Sequence, residues 1–198
     1  MNFDILELLN STLGGPLIRQ ASAYFGETEK STHSALRSIE PTLLAGLMQW
    51  ASTPAGAAEV FKNVTDAGVD TGIAAKLPGI FSNRGSLESL LDSGELLADK
   101  VFGSRMGGVT SAISKVSGAM PDSALALISL TAPLLFGIIK KHVMQNELNA
   151  SGLGVLLRKQ RGRLANSQLP DRVISAMGFG SKAELRSEEH TSELQSPI

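Results

Sequence analysis

In this chain of 198 residues the side chains whose types and spacing suggest chemistry fall into three groups. Arg158, Lys159, Arg161 and Arg163 place four cations within six residues, with Lys140, Lys141 and His142 a short way upstream. Such a cluster suits the phosphates of anionic lipid or nucleic acid, and these four are the candidate anion-binding residues. No aromatic residue is interleaved with them for base stacking, which argues against single-strand recognition. A formal net charge of −1 gives no bulk attraction to polyanions, so nucleic acid is not the expected partner. An ordinary solvated face would carry the same residues.

The second group is a row of carboxylates, Glu88, Asp92, Glu95 and Asp99, at helical spacing. Side chains on one straight helix face diverge instead of converging on a cation or a substrate, so the row reads as a solvated face. The third group is His33 and His142, with Glu29 one turn before His33. Neither histidine has the paired spacing of a metal site, and the chain holds no cysteine, hence no disulfide, thiolate zinc site or thiol nucleophile. Gly103-Ser104-Arg105-Met106-Gly107-Gly108 lacks the Gly-Lys-Ser/Thr ending of a phosphate loop, and no G-x-S-x-G elbow or dinucleotide fingerprint follows a strand. No catalytic, cofactor-binding or metal residue is assigned, and the expectation is a protein that is not an enzyme.

The elements that would position these groups are helices. Apolar residues make up 42% and aromatic residues only 5%, so the core must be built from Leu, Ile, Val, Ala and Met, which suits helix packing better than sheets. The organising stretch is Ser123–Ile139, seventeen residues without a charge, holding Pro133 and stopped by Lys140-Lys141. As a helix it spans about 26 Å, just short of the ~30 Å core of a bilayer. Asp122, Ala126, Ser129, Pro133, Gly137 and Lys140 form one stripe of small or polar residues along it, predicting a central helix with one face open to close backbone approach or to water. The adopted reading is a buried core helix, with membrane insertion as its rival. Pro133 cannot donate to the carbonyl of Ser129, so the helix should kink or restart there.

Sliding the chain by 92 residues lays an earlier stretch on this one, with Gly15 on Gly107, Ser22 on Ser114, Gly26 on Gly118, Ser31 on Ser123, Pro41 on Pro133 and Leu43 on Leu135. The shared residues include the helix stops Gly26 and Gly118 and the mid-helix prolines Pro41 and Pro133. The expected fold is all-α, with two similar multi-helical units and proline-kinked central helices. The first unit covers residues 1–69, the second 86–180, and 70–85 is a joint in which Ile73–Leu77 forms a short helix before turns at Pro78-Gly79 and Ser82–Gly85. Thr28, Ser52-Thr53-Pro54, Asn149 and Leu169-Pro170-Asp171 mark helix starts, and Gly103–Gly108 reads as a flexible joint. Residues 1–180 are expected to form one compact domain and 181–198 a disordered tail.

The segment Arg186–Ser196, RSEEHTSELQS, resembles the forward translation of a short-read sequencing adapter. Setting 186–198 aside as an artefact leaves a charge of +1, removes His190 as a candidate ligand and implies a longer native gene product. No basic segment precedes an apolar run at the N-terminus, so a cytoplasmic location is expected.

Residues 1–180 resemble the bacterial YidB-like family, helical domains of unknown function, through LLNSTLGGPLIRQASAYFGETE (8–29), IEPTLLAGL (39–47), STPAGAAEVF (52–61), MGGVTSAISKVSG (106–118) and TAPLLFGIIKKHVMQNELNASGLGVLL (131–157). In some relatives a similar domain precedes a flexible segment, one membrane span and an OmpA-like peptidoglycan-binding domain. The resemblance implies an interaction or scaffold domain at the inner membrane, on its cytoplasmic side, the N-terminal fragment of an envelope-associated protein. It supplies no catalytic residues, and no cofactor, specific protein partner or oligomeric state.

Overall fold

A computed structural model describes residues 3–185, and every regular element among them is helical. The order is α1 (Ile5–Thr12), α2 (Gly15–Phe25), α3 (Glu29–Trp50), α4 (Pro54–Val64), α5 (Ile73–Ile80), α6 (Arg84–Phe102), a 3-10 turn (Gly103–Arg105), α7 (Met106–Ser117), α8 (Pro121–Gln145), α9 (Ala150–Lys159), α10 (Arg161–Ala165) and α11 (Asp171–Ala176). The starts follow local capping chemistry. The side chains of Asp4, Thr28, Thr53, Asn83 and Asn149 accept the backbone N–H groups of Glu7, Ser31, Gly56, Ser86 and Gly152, each satisfying a donor that the first helical turn leaves open. Gly26 (φ 70°) and Gly118 (φ 78°) end α2 and α7 in the left-handed conformation that only glycine adopts without strain.

The apolar stretch forms the middle of α8, surrounded by α1, α3, α4, α5, α6 and α7. Leu127, Ile128, Leu130, Leu134, Leu135, Phe136 and Ile139 are all fully buried. By length and composition α8 could cross a membrane, yet 78% of its apolar window is buried within the protein. The small-residue stripe is its seam. A Cβ placed on Gly94 of α6 would overlap the backbone of Ser129, and one on Gly137 would strike the carbonyl of Asp70. Close backbone approach is thus what the stripe provides at these two points. At its end, Lys140 Nζ donates to the carbonyls of Asp66 and Val69, at 2.7 and 2.9 Å, closing the loop after α4.

Pro41 and Pro133 both lie inside unbroken helices, so neither helix restarts. The order helix, left-handed glycine, proline-bearing helix occurs twice, as α2–Gly26–α3 and α7–Gly118–α8, followed each time by a capped helix, α4 or α9. The loops after the two glycines touch: Glu27 accepts the N–H of Met120 at 2.8 Å and the hydroxyl of Ser31 at 3.0 Å. Burial would raise this carboxyl, and the hydrogen bonds from Met120, Ser123 and Ser31 outweigh it and hold the pKa below the usual range. The surroundings differ, however, with α7 packed on both α3 and α8 while α2 lies on α3 and α5.

Three expectations are corrected. Pro78-Gly79 is no turn: α5 continues through it to Ile80, with Leu77 fully buried. The glycine-rich 103–108 segment is no loose joint, because one 3-10 turn feeds directly into α7 at Met106. Residues 181–185 are not a disordered tail, since Lys182 Nζ donates to the Ser167 carbonyl at 2.6 Å and Leu185 is buried. The adapter-like segment and His190 lie outside the described residues. Buried apolar residues from Ile5 to Leu185 form a single continuous core.

Candidate functional site

The middle of α3 carries a carboxylate where a leucine would be expected. Glu40 shares the stripe of Leu36, Leu43 and Leu47, is only 5% exposed, and forms no hydrogen bond or ion pair among the described residues. Burial pushes its carboxyl up to about 7, against the opposing pull of the Arg37 guanidinium. Pro41, the next residue, has no N–H to offer the carbonyl of Arg37, so the helix has an open acceptor one turn back.

Glu40 and Pro41 border a groove of about 650 Å³ between α1, α3 and the α10 region. Asn10, Ser11, Asn166, Ser167 and Gln168 supply amides and hydroxyls to its wall. A second cavity of about 170 Å³, reaching His33, Gly14 and Ile18, shares Asn10, Arg37 and Glu40 with the first. These three residues therefore form the partition between two hollows.

The groove's other side is held by the segment leading into α1. Buried Gln160 donates to the carbonyl of Phe3 at 2.9 Å and accepts the N–H of Ile5 at 3.1 Å. Asp4 uses one carboxylate oxygen to cap Glu7 and the other to meet Arg163 Nη1 at 3.0 Å. Phe3 stacks on His142 with ring centroids 3.7 Å apart, and burial lowers the histidine pKa.

The candidate anion-binding residues divide in this setting. Arg158 and Lys159 are exposed at the carboxyl end of α9, Arg161 is half-buried at the start of α10, and Arg163 lies in the groove wall facing Asp4. Glu88, Asp92, Glu95 and Asp99 are all exposed, as a solvated face should be, and Glu88 pairs with Arg84 at 2.7 Å. His33 and Glu29 are exposed, and no group of three potential metal ligands occurs among the described residues.

Residues 7–142 match the family model DUF937, bacterial protein of unknown function. The chain belongs to this family. No curated protein and no solved structure matches it. The DUF937 match runs from within α1 to within α8, including Asn10, Arg37, Glu40 and Pro41, whereas Asp4, Gln160, Arg163 and residues 166–168 lie outside it.

Sequence reasoning missed Glu40. The signal was present as one acid between Ile39 and Pro41 on the leucine stripe of a helix.

Proposed function

We propose that this DUF937 chain is a non-enzymatic helical interaction or scaffold module that engages a protein partner through the groove at Glu40. The observation that carries this reading is an open groove of about 650 Å³ whose wall holds the desolvated Glu40 carboxyl, without a hydrogen-bond donor among the described residues, and neutral hydrogen-bonding groups around it. The YidB-like resemblance supports a setting at the cytoplasmic side of the inner membrane, ahead of a membrane span and an OmpA-like domain. The repeated helix–glycine–helix order supports descent from an internal duplication.

A photo-crosslinking residue placed at Asn10 or Gln168 in living bacteria should trap the same protein, while one at exposed Glu95 on α6 should not. Equal trapping at all three positions would dismiss the groove. Membrane insertion of Ser123–Ile139 is the second reading, favoured by the length of α8 and opposed by its burial. Carbonate washing separates the two, since an inserted helix stays with the bilayer. The Arg158–Arg163 cluster remains a secondary proposal for anionic lipid, expressed as liposome binding that falls steeply with salt.

A further inference from the structure

The groove's charges are unequal in freedom. Asp4 and Arg163 pair with each other, Glu7 is exposed, and the exposed Arg37 beside Glu40 pulls on its carboxyl without hydrogen-bonding it. What is left is the carboxyl of Glu40, on a residue only 5% exposed, with no hydrogen-bond donor among the described residues and its oxygens open to the groove. A carboxylate largely desolvated by its surroundings gains most from donors that arrive through the groove, and the strongest are cationic: an ammonium offers three N–H groups and a guanidinium five. The carrier is constrained as well. Asn10, Asn166 and Gln168 present amide groups that pair naturally with peptide N–H and C=O groups.

We infer that this groove receives one cationic side chain, a lysine or arginine of an extended peptide, seated on the Glu40 carboxylate with the amides of Asn10, Asn166 and Gln168 along the peptide backbone. The inference rests on the interaction-module reading and adds the ligand class to it. The ligand's charge draws the Glu40 carboxyl, which burial holds near 7, back toward the ionised form. Binding then couples to proton release, in the field of Arg37 and His33 from α3, Asp4 and Glu7 from the α1 end and Arg163 from α10.

The test uses the full chain and acetylated, amidated pentapeptides Gly-Ser-X-Ser-Gly, with X lysine, arginine, norleucine, acetyl-lysine or glutamate, followed by calorimetry and amide NMR. Butylammonium serves as a small-amine control. The lysine and arginine peptides should bind with shifts at Asn10 and Gln168, at least tenfold more tightly than the others and than butylammonium. Affinity should fall about tenfold from pH 8 to pH 6, as expected when the ionised fraction of a carboxyl near 7 drops through that range. Glu40→Gln should abolish the preference while its thermal melt shows an intact fold, and His33→Gln should leave the pH dependence in place. Norleucine binding equal to lysine, or lysine binding unchanged in Glu40→Gln, would overturn the cation assignment and leave the interaction reading standing. Butylammonium binding as tightly as the peptides would overturn the peptide part. Failure of every peptide to bind overturns the inference, and failure of the crosslinks at Asn10 and Gln168 as well would take the broader reading with it.

Discussion

Gly94 in α6 rests against the carbonyl of Ser129 in α8, the acceptor that Pro133 leaves without its helical donor. The proline opens a carbonyl and the glycine lets a neighbouring backbone reach it, so the two residues act as a pair across the seam. Gly94→Ala would drive a methyl into backbone that cannot rotate away. We expect a loss of about 3 kcal/mol, the upper end for overpacking, read as a lower urea midpoint. Gly107→Ala is the control: nothing lies near its Cβ position, and alanine inside a helix is worth about 0.5–1 kcal/mol over glycine, so the midpoint should rise.

Glu40 makes stability depend on pH with an unusual sign. Its carboxyl is raised to about 7 in the folded state from an ordinary 4.5, so the folded state binds the extra proton between those values. Its contribution is fully present below about pH 4.5 and is lost as pH rises through 7, a difference of about 3 kcal/mol. Glu40→Gln should therefore melt well above the wild type at pH 8 and close to it at pH 4.5. Equal gaps at both values would contradict a buried, titrating carboxyl.

Thr32 is fully buried and its hydroxyl has no partner among the described residues. Replacing that hydroxyl with a methyl of similar size removes an unsatisfied polar group from the core. Thr32→Val should stabilise the protein by about 1 kcal/mol in chemical denaturation.

Gln160 bridges two backbone groups, and its variants should separate the bonds. Gln160→Glu keeps an acceptor for Ile5 but offers no donor to Phe3 when ionised, whereas Gln160→Leu removes both. Amide exchange at Ile5 should speed up at least tenfold in Gln160→Leu and less in Gln160→Glu, with losses of about 2–3 kcal/mol for the leucine variant. Unchanged exchange in both would mean that the segment is held by Phe3–His142 stacking and Asp4–Arg163 pairing instead.

Most of the helical plan could be read locally. Thr28, Thr53 and Asn149 cap through their own next turn, and Gly26 and Gly118 stop helices by their own backbone freedom, so sequence windows of a few residues suffice. Pro78 misled because the ring is tolerated where a short helix lies against α8, and Gly103–Gly108 misled because glycine propensity is overridden by packing beside α6. The groove was not legible at all. Its wall joins α1, the centre of α3 and residues 163–168, which no local pattern connects, and its central residue is a single acid inside an apolar stripe. The basic run around Arg158–Arg163 stood out because contiguous charge is visible in sequence, while the Asp4–Arg163 pairing across most of the chain is not.

The Gln160 bridge also sets a timetable. Its partners Phe3 and Ile5 precede it by 157 and 155 residues. At ribosomal rates of about 5–20 residues per second, those two backbone groups wait roughly 8–31 s for the glutamine to be made. Through that interval the segment leading into α1 lacks both of these bonds, and the part of the groove wall supplied by Arg163 and residues 166–168 has yet to be made.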